Sequence, residues 1–403
     1  MISAWVSIFL FFLIFLFACY RTRSIVHPAV IVSGIWMILL ILYNTAQDIL
    51  YPLSEEFYYA LCIWVVTFCA GALMPFGRCL KFGKFLTVSS PKTKLLKWLL
   101  RIFLVINCFG AYKYYSIGGG LAYSFMSTIK DSEDNLPLIF RILQYLHAIS
   151  LVIYAVVVVN YDRLGRNGRF KFLFVAHVVS LFCWSFVLAN KTGLVQFIII
   201  GFIALYYRKK LKIRHCVAAL CLGILGIFCM QILREKPTDS NQEFDTGKFI
   251  LVYTLSPLTA FDMQLHHEIS FFPNKTFRFF DNVGYKLGLI PQKRGPADEW
   301  VEVPVPTNVY TVMHSFHSDF GYWGIFVFAL ILGVFWGILY MGIQFNIPFL
   351  ATLYAVFAHS LILQFFADYI FTFLSVTLQV FIIVYFLFVK HKLRTILKNA
   401  EKE

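Results

Sequence analysis

Residues 303–324 read V-P-V-P-T-N-V-Y-T-V-M-H-S-F-H-S-D-F-G-Y-W-G. The stretch is polar, aromatic and titratable in a chain that is otherwise mostly apolar. Pro304 and Pro306 prevent a helix up to about that point, and Thr307 or Asn308 can cap a short helix after them. We therefore expect an irregular approach followed by a helix.

The expected helix would bring His314, His317 and Asp319 near one another. Gly321 and Gly324 then open a hydrophobic span. A polar cluster at the start of a span lies at a membrane surface. We therefore expect this cluster where a water-soluble reactant can meet a lipid-borne one.

The composition indicates a polytopic membrane protein. Hydrophobic residues make up 60% of the chain and charged residues only 14%, and the mean hydropathy is +0.73. These values far exceed those of soluble globular domains. The net charge of +14 does not indicate nucleic-acid binding. The basic residues fall in short clusters between apolar runs, as the positive-inside rule predicts.

About eleven apolar runs come near the roughly 20 residues that cross about 30 Å of hydrocarbon. They are approximately 2–20, 26–43, 57–76, 97–117, 139–160, 171–189, 192–207, 215–233, 321–344, 347–367 and 371–390. The predicted fold is therefore all-α, with about eleven transmembrane helices in a single polytopic domain, residues 1–403.

The distribution of Lys and Arg predicts the orientation of the chain. Basic clusters follow the first, third, fifth and seventh runs and fill the C-terminal tail, which places all of them in the cytoplasm. An odd number of spans then leaves the N-terminus outside. The same count places residues 234–320, between the eighth and ninth spans, outside as one long loop.

This outer loop is longer than a connection requires, which favours a functional role. Within it, residues 248–267 are apolar but contain Pro257 and Asp262, which makes a full span improbable. We expect an interfacial or re-entrant helix there. Short interfacial helices are thus part of the predicted loop.

Several kinds of chemistry find no support in the sequence. The nine cysteines fall mostly in apolar runs, and none lies in the outer loop. No pair has zinc-site spacing, and no glycine-rich nucleotide loop is present. We therefore expect neither a metal site nor a cofactor.

Four short motifs carry a resemblance to a known family. They are G-G-G at 118–120, A-N-K-T-G at 189–193, T-N-V-Y-T at 307–311 and D-F-G-Y-W-G at 319–324. With the long outer loop, they resemble the Wzy-type O-antigen polymerases, or oligosaccharide repeat-unit polymerases. Members often carry an Arg where this chain has Met313 and His314, so the identity of the base stays open.

The resemblance implies a membrane glycosyltransferase of the bacterial inner membrane with a periplasmic site. Its substrate would be an undecaprenyl-pyrophosphate-linked oligosaccharide repeat unit. Joining such units would produce O-antigen or a related surface polysaccharide, with a periplasmic N-terminus and a cytoplasmic C-terminus. A separate chain-length regulator is the usual partner in such systems.

A pyrophosphate leaving group needs cations, and no acidic pair with ligand-like spacing suggests a metal. Basic residues at the predicted outer face are therefore the candidates for binding it. They are Lys191, Arg278, Lys275 and Arg141. The alternative is that these side chains only anchor the chain at lipid headgroups.

The acceptor hydroxyl needs a base, and His314, His317 and Asp319 are the candidates. Each has an ordinary alternative, because a histidine at an interface is often only a hydrogen-bonding aromatic and Asp319 can cap a helix. Asn308 and Tyr310 could bind sugar or shape the turn.

Two other functions remain open on the sequence alone. A flippase for lipid-linked oligosaccharides would also be basic, helical and independent of ATP, although transporters usually contain matched repeats. A membrane acyltransferase that modifies glycans would need a histidine near a cytosolic acyl donor. The concentration of polar residues at one predicted face favours polymerisation over both.

Overall fold

The computed structural model describes most of the chain. The described residues are 3–46, 49–74, 89–117, 137–164, 167–188, 191–215, 217, 221, 246–267, 269, 275–290 and 298–390. The glycine run at 118–120 lies outside them, as does most of the eighth predicted span at 215–233.

Helices dominate the described residues. They are α1 (Ala4–Thr22), α2 (Pro28–Thr45), α3 (Glu55–Ala72), α4 (Thr93–Ile117), α5 (Leu138–Val159), α6 (Gly168–Val187), α7 (Lys191–Tyr207), α8 (Thr246–Gln264), α9 (Arg278–Lys286), α10 (Met313–Gln344), α11 (Pro348–Phe357), α12 (His359–Ile362) and α13 (Leu374–Leu387). The strands are β1 (Ser89–Pro91), β2 (Val301–Val303), β3 (Val305–Thr307) and β4 (Phe388–Lys390).

Within the described parts of the chain, six helices are long and apolar enough to cross a membrane. They are α1, α2, α4, α5, α6 and α10. A seventh span results if α11 is counted together with residues 359–365, which follow it after a bend of 43°. The chain is thus an all-α, multi-pass membrane protein, and the finer count of about eleven spans stays a prediction.

Two short antiparallel ladders were not predicted from the sequence. In one, Ser89 of β1 lies opposite Lys390 of β4, and in the other, Val301 of β2 lies opposite Thr307 of β3. Proline has no backbone N–H to donate, and Pro306 lies within β3. Pro306 lies opposite Glu302, in the middle of this short ladder, where it contributes no donor.

The helix that carries His314 begins later than expected, because residues 305–307 form strand β3. The helix begins at Met313, not directly after Thr307 or Asn308. The Thr307 hydroxyl instead accepts the N–H of Val309 at 3.2 Å, which stabilises the exit from β3. The prediction that Thr307 or Asn308 caps this helix was therefore wrong.

Gly321 lies where the long apolar part of α10 begins, the place predicted for the start of a span. It lies inside α10 with φ 62° and ψ −151°, where the helix is kinked. Such a conformation is strained for a residue with a Cβ. The segment Met313 to Phe320 is therefore a short helix joined through Gly321 to the long apolar part of α10.

The expected helix at 248–267 is present as α8. Pro257 lies inside it without ending it, and Leu255, Leu258 and Phe261 are fully buried. The helix thus packs into the protein on at least one face. Its place relative to the membrane interface stays a prediction.

The chain divides into two compact units. The first comprises residues 1–79, 242–340 and 360–379, and the second comprises residues 80–241, 341–359 and 380–403. The candidate residues from Lys275 to Asp319 all belong to the first unit. The prediction of a single domain is not tested by this division.

The core of the first unit is held by a buried glutamine. The side-chain oxygen of Gln364 accepts the indole N–H of Trp36 at 3.2 Å and that of Trp64 at 3.0 Å. An indole N–H left unpaired in such a core would cost free energy. Gln364 thereby connects α2 and α3 to the turn after α12.

Glycines allow α3 and α10 to approach closely. A Cβ added to Gly333 would lie 2.3 Å from the carbonyl oxygen of Phe68, and one added to Gly71 would lie 2.9 Å from that of Leu330. Small residues at such contacts are typical of membrane helix pairs. This packing positions α10 within the first unit.

The second unit contains a polar network among its spanning helices. Asn107 of α4 donates to Ser180 of α6 at 3.1 Å and accepts from Ser150 of α5 at 2.9 Å. His147 and Ser185 are hydrogen-bonded at 2.8 Å. These bonds satisfy buried polar side chains and fix the three helices in register.

Candidate functional site

The candidate site is built where Met313 to Phe320 meets the loop before α9. The backbone N–H of Val312 donates to the carbonyl of Gln364 at 2.7 Å, which fixes the start of the helix. Tyr310 and His314 then stack with ring centroids 4.0 Å apart and an interplanar angle of 13°. Both rings are buried. Their positions are therefore set by the fold before any ligand binds.

Lys275 contacts the buried imidazole of His314. Its Nζ atom lies 3.1 Å from His314 Nε2. Since an ammonium group can only donate, Nε2 accepts and the neutral ring carries its proton on Nδ1. Among the described residues, Nδ1 has no hydrogen-bond partner. The tautomer of His314 is thus set by Lys275.

Asp319 holds the Lys275 segment against α10. Its carboxylate accepts the backbone N–H of Lys275, at 3.0 Å to Oδ2, and that of Thr276 at 2.7 Å. The Thr276 hydroxyl donates to the carbonyl of Ser315 at 3.2 Å. The carboxylate is buried, and its recorded hydrogen bonds go to these two N–H groups and not to those after Gly321, where the sequence placed a cap.

Arg278 forms an ion pair with Asp298, which lies just before β2. The same carboxylate lies 4.0 Å from His314 Nε2. The side chains of Arg278 and Asp298 are 10% and 21% exposed, so water screens the pair only partly. Lys275, Arg278, His314 and Asp298 together are called the charged cluster.

Tyr310 connects the charged cluster to the residues just before β2. Its hydroxyl donates to the carbonyl of Glu299 at 2.8 Å. Burial, the largest cause, and the charges of Asp298 and Glu299 together raise the pKa of Tyr310 to about 12. Tyr310 therefore stays protonated and remains a donor to Glu299 at neutral pH.

His317 lies apart from these contacts. Its buried ring packs edge to face against Tyr322 at 5.2 Å and against Phe261 at 6.1 Å. These are contacts of a packed aromatic ring. The two histidines predicted as candidate bases thus have different surroundings.

Three further residues were singled out by the sequence, namely Asn308, Arg141 and Lys191. Asn308 is partly buried between β3 and Tyr310. Arg141 is exposed in the first turn of α5, in the second unit. Lys191 begins α7 in that unit, and its side chain lies outside the described structure. The roles predicted for these residues stay predictions.

Sequence analysis missed three residues of the site. A glutamine within an apolar run is a recognisable signal, and Gln364 could have been found that way. Asp298 lies in a Pro- and Gly-rich stretch, and Thr276 is an ordinary loop residue. Nothing local in the sequence indicates that either contacts the cluster.

Within the described ranges, no group of three or more His, Cys, Asp or Glu residues could hold a metal ion. The prediction of a site without a metal stays a prediction.

The fold and site together define a multi-pass membrane protein with a partly buried cluster of opposite charges beside a long apolar helix. The chain is similar to a protein of Escherichia coli (strain K12) named "Putative O-antigen polymerase". The two are 24% identical over 339 residues, which cover 81% of this chain and 84% of that protein. No family model and no solved structure matches the chain.

Proposed function

We propose that this protein polymerises lipid-linked oligosaccharide repeat units into O-antigen or a related surface polysaccharide. The observation that carries the proposal is the charged cluster, in which two cations and a neutral imidazole converge beside the start of α10. Similarity to a protein named as an O-antigen polymerase supports the same activity.

In the proposed reaction, a hydroxyl oxygen of one repeat unit attacks the anomeric carbon of a glycan on undecaprenyl pyrophosphate. The bond from that carbon to the phosphate oxygen breaks, and undecaprenyl pyrophosphate leaves with the bonding electrons. Lys275 and Arg278 stabilise the negative charge of the leaving group. The proposed transfer is independent of metal ions.

The proton of the attacking hydroxyl passes to a base, and we assign this role to His314. In the resting structure, Nε2 of His314 accepts from Lys275. When the ammonium turns to the pyrophosphate, the Nε2 lone pair becomes available to accept the proton. His317 is the less suited candidate because its recorded contacts are with aromatic rings.

The His314→Ala variant is expected to lose polymer by about 10²- to 10⁴-fold, the usual contribution of a positioned base. The His317→Ala variant is expected to lose less than about tenfold, because its ring packs without a role in proton transfer. Polymer length and amount on polysaccharide gels, normalised to inserted protein, measure both effects.

His266→Ala is the matched control, since that side chain is 61% exposed and lies 3.5 Å from Glu56. It should leave polymer unchanged. Normal polymer from the His314→Ala variant, or loss confined to the His317→Ala variant, would contradict the assignment of the base.

We further propose that residues 234–320 face the periplasm of a bacterial inner membrane and that the C-terminus is cytoplasmic. The basic clusters of the sequence support this orientation. In intact cells, a membrane-impermeant thiol reagent should modify Gln292→Cys and leave Lys398→Cys unmodified. The opposite labelling pattern would invert the topology. Permeabilised cells, in which both positions react, serve as the control.

A further inference from the structure

Helix α9 exposes an apolar side. Phe280, Val283 and Leu287 follow one another at spacings of three and four residues, so they line one side of the helix and its C-terminal cap. All three side chains are exposed, and that of Leu287 is 69% exposed. These three residues are called the apolar stripe. A helix on a water-exposed surface would turn such a stripe towards the core.

The opposite side of α9 carries polar side chains and faces the protein. Successive residues of a helix are about 100° apart, which places Arg278 opposite the apolar stripe, with Asp281 and Asn282 beside it. The Arg278 side chain is buried and pairs with Asp298. Asp281 and Asn282 are partly buried. The helix thus keeps its polar side inside and its apolar side outside, an arrangement that marks contact with something other than water.

The chain that follows α9 extends this apolar surface. Gly288 has a φ of 74°, and its N–H donates to the carbonyl of Tyr285 at 3.0 Å. The N–H of Leu289 donates to the carbonyl of Gly284 at 2.8 Å, which completes a glycine-terminated helix end. The Leu289 side chain is left 76% exposed, two residues after Leu287. Exposed apolar side chains therefore continue past the end of the helix.

The contact between Phe277 and α10 indicates what covers the apolar stripe. Phe277 directly precedes α9, and its ring centroid lies 6.0 Å from that of Phe328. Phe328 follows Gly321 by seven residues in the apolar part of α10, or about 10 Å at 1.5 Å per residue. Its neighbour Val327 is exposed on this helix, which is long and apolar enough to cross a membrane. The start of α9 thus lies at a level where α10 itself faces acyl chains.

We propose that the apolar stripe of α9 lies among the acyl chains of bilayer lipids, at the edge of the membrane. The helix has nine residues, far fewer than the roughly 20 that cross a bilayer, so it lies along the interface. Because Arg278 lies on its other side, the charged cluster is within about one helix diameter, roughly 10 Å, of the acyl chains. This contact is independent of the function proposed above.

The competing occupants of the apolar stripe are water and a second copy of the chain. A photoreactive side chain on the stripe distinguishes them by what it bonds to. Benzoylphenylalanine, which reacts with nearby C–H groups on illumination, is introduced at Leu287 of the full-length protein. The protein is placed in vesicles of phosphatidylethanolamine and phosphatidylglycerol. Mass spectrometry of the intact chain then measures the lipid adduct.

Two further positions calibrate the yield. The probe at Val327, on the membrane-spanning part of α10, gives the adduct expected in contact with lipid. The probe at Glu302, exposed in β2, gives the background. We expect the adduct at Leu287 to exceed that at Glu302 by at least about tenfold, because the stripe is inserted between acyl chains.

A pair of neighbouring substitutions tests whether the apolar stripe holds the helix in the lipid. The probe is placed at Phe280, and either Leu287→Asn or Lys286→Asn is added. Both introduce the same residue at an exposed position, but only Leu287 belongs to the stripe. Leu287→Asn should lower the lipid adduct at Phe280 severalfold, and Lys286→Asn should leave it unchanged.

The results that would overturn the lipid contact are distinct. A lipid adduct at Val327 but only background at Leu287 would place the stripe in water. A cross-link between two protein chains at Leu287 would assign it to a second copy. Equal losses from Leu287→Asn and Lys286→Asn would show that the stripe does not hold the helix. Lipid adducts from wild-type protein that forms no polymer would keep this contact and refute the polymerase; polymer without adducts would do the reverse.

Discussion

Replacing Asp319 by asparagine is expected to reduce polymer formation by at least about 100-fold while the protein still inserts. Its two carboxylate oxygens accept the backbone N–H groups of Lys275 and Thr276, and the side chain is fully buried. Asparagine would turn an NH₂ group towards one of these donors. Each buried donor left unpaired costs about 1–3 kcal/mol. The segment that carries Lys275 would then separate from His314.

A structural readout distinguishes this cause from a lost catalytic group. Thr276 is fully buried, so a thiol introduced by Thr276→Cys should be protected from a thiol reagent. In the Asp319→Asn background, the same position should react at least about tenfold faster, because local opening controls its access. The reaction of the parent chain, which carries only the native cysteines, gives the background to subtract.

Glu302→Gln provides the matched change of charge at an exposed position and should leave both readouts unchanged. Normal polymer together with a protected thiol in the Asp319→Asn variant would contradict the positioning role. Loss of polymer with a protected thiol would instead indicate that Asp319 takes part directly in the glycosyl transfer.

Gly324→Ala is expected to destabilise the protein by roughly 3 kcal/mol or more, at the upper end for overpacking. An added Cβ would lie 2.2 Å from the carbonyl oxygen of Phe316 and 2.8 Å from Cβ of Phe320. The kink at Gly321 brings these atoms of the short helix onto Gly324. Backbone atoms at this distance cannot yield without moving the helix that carries His314.

The matched control is Gly168→Ala, since a Cβ at that helical position meets nothing within 4 Å. Alanine there should preserve or slightly raise stability, because it lowers the entropy of the unfolded chain. Thermal unfolding in detergent, followed by the fraction of monodisperse protein, compares the two variants. An equal midpoint for Gly324→Ala and the wild type would contradict the close contact.

The D-F-G-Y-W-G motif shows how far sequence analysis reaches. Its position next to a long apolar run was evident, as was the presence of two glycines in it. The reason for each glycine was not evident. Gly321 supplies a conformation with positive φ, and Gly324 leaves room for a backbone carbonyl eight residues earlier. Both reasons depend on the kink, which no local pattern predicts.

For the candidate site residues too, the sequence indicated the residue types and the structure showed their partners. The sequence singled out His314, His317 and Asp319 by residue type and by their place before a span. It treated the two histidines as equivalent and assigned Asp319 most readily to a helix cap. The structure gives His314 a lysine partner, packs His317 against aromatic rings, and pairs Asp319 with backbone 43 and 44 residues earlier.

Hydropathy and charge along the chain by themselves determine that this is an all-α, multi-pass membrane protein with a polar segment before one long span. Hydropathy and charge are sums over neighbouring residues. They are sufficient here because whether a segment can cross a bilayer depends on its apolar length. Only the tertiary structure decides which side chains form the charged cluster. Pairing of Arg278 with Asp298, and of Lys275 with His314, depends on contacts between segments 20 and 39 residues apart. Such contacts form, and contribute free energy, only after the helices have packed.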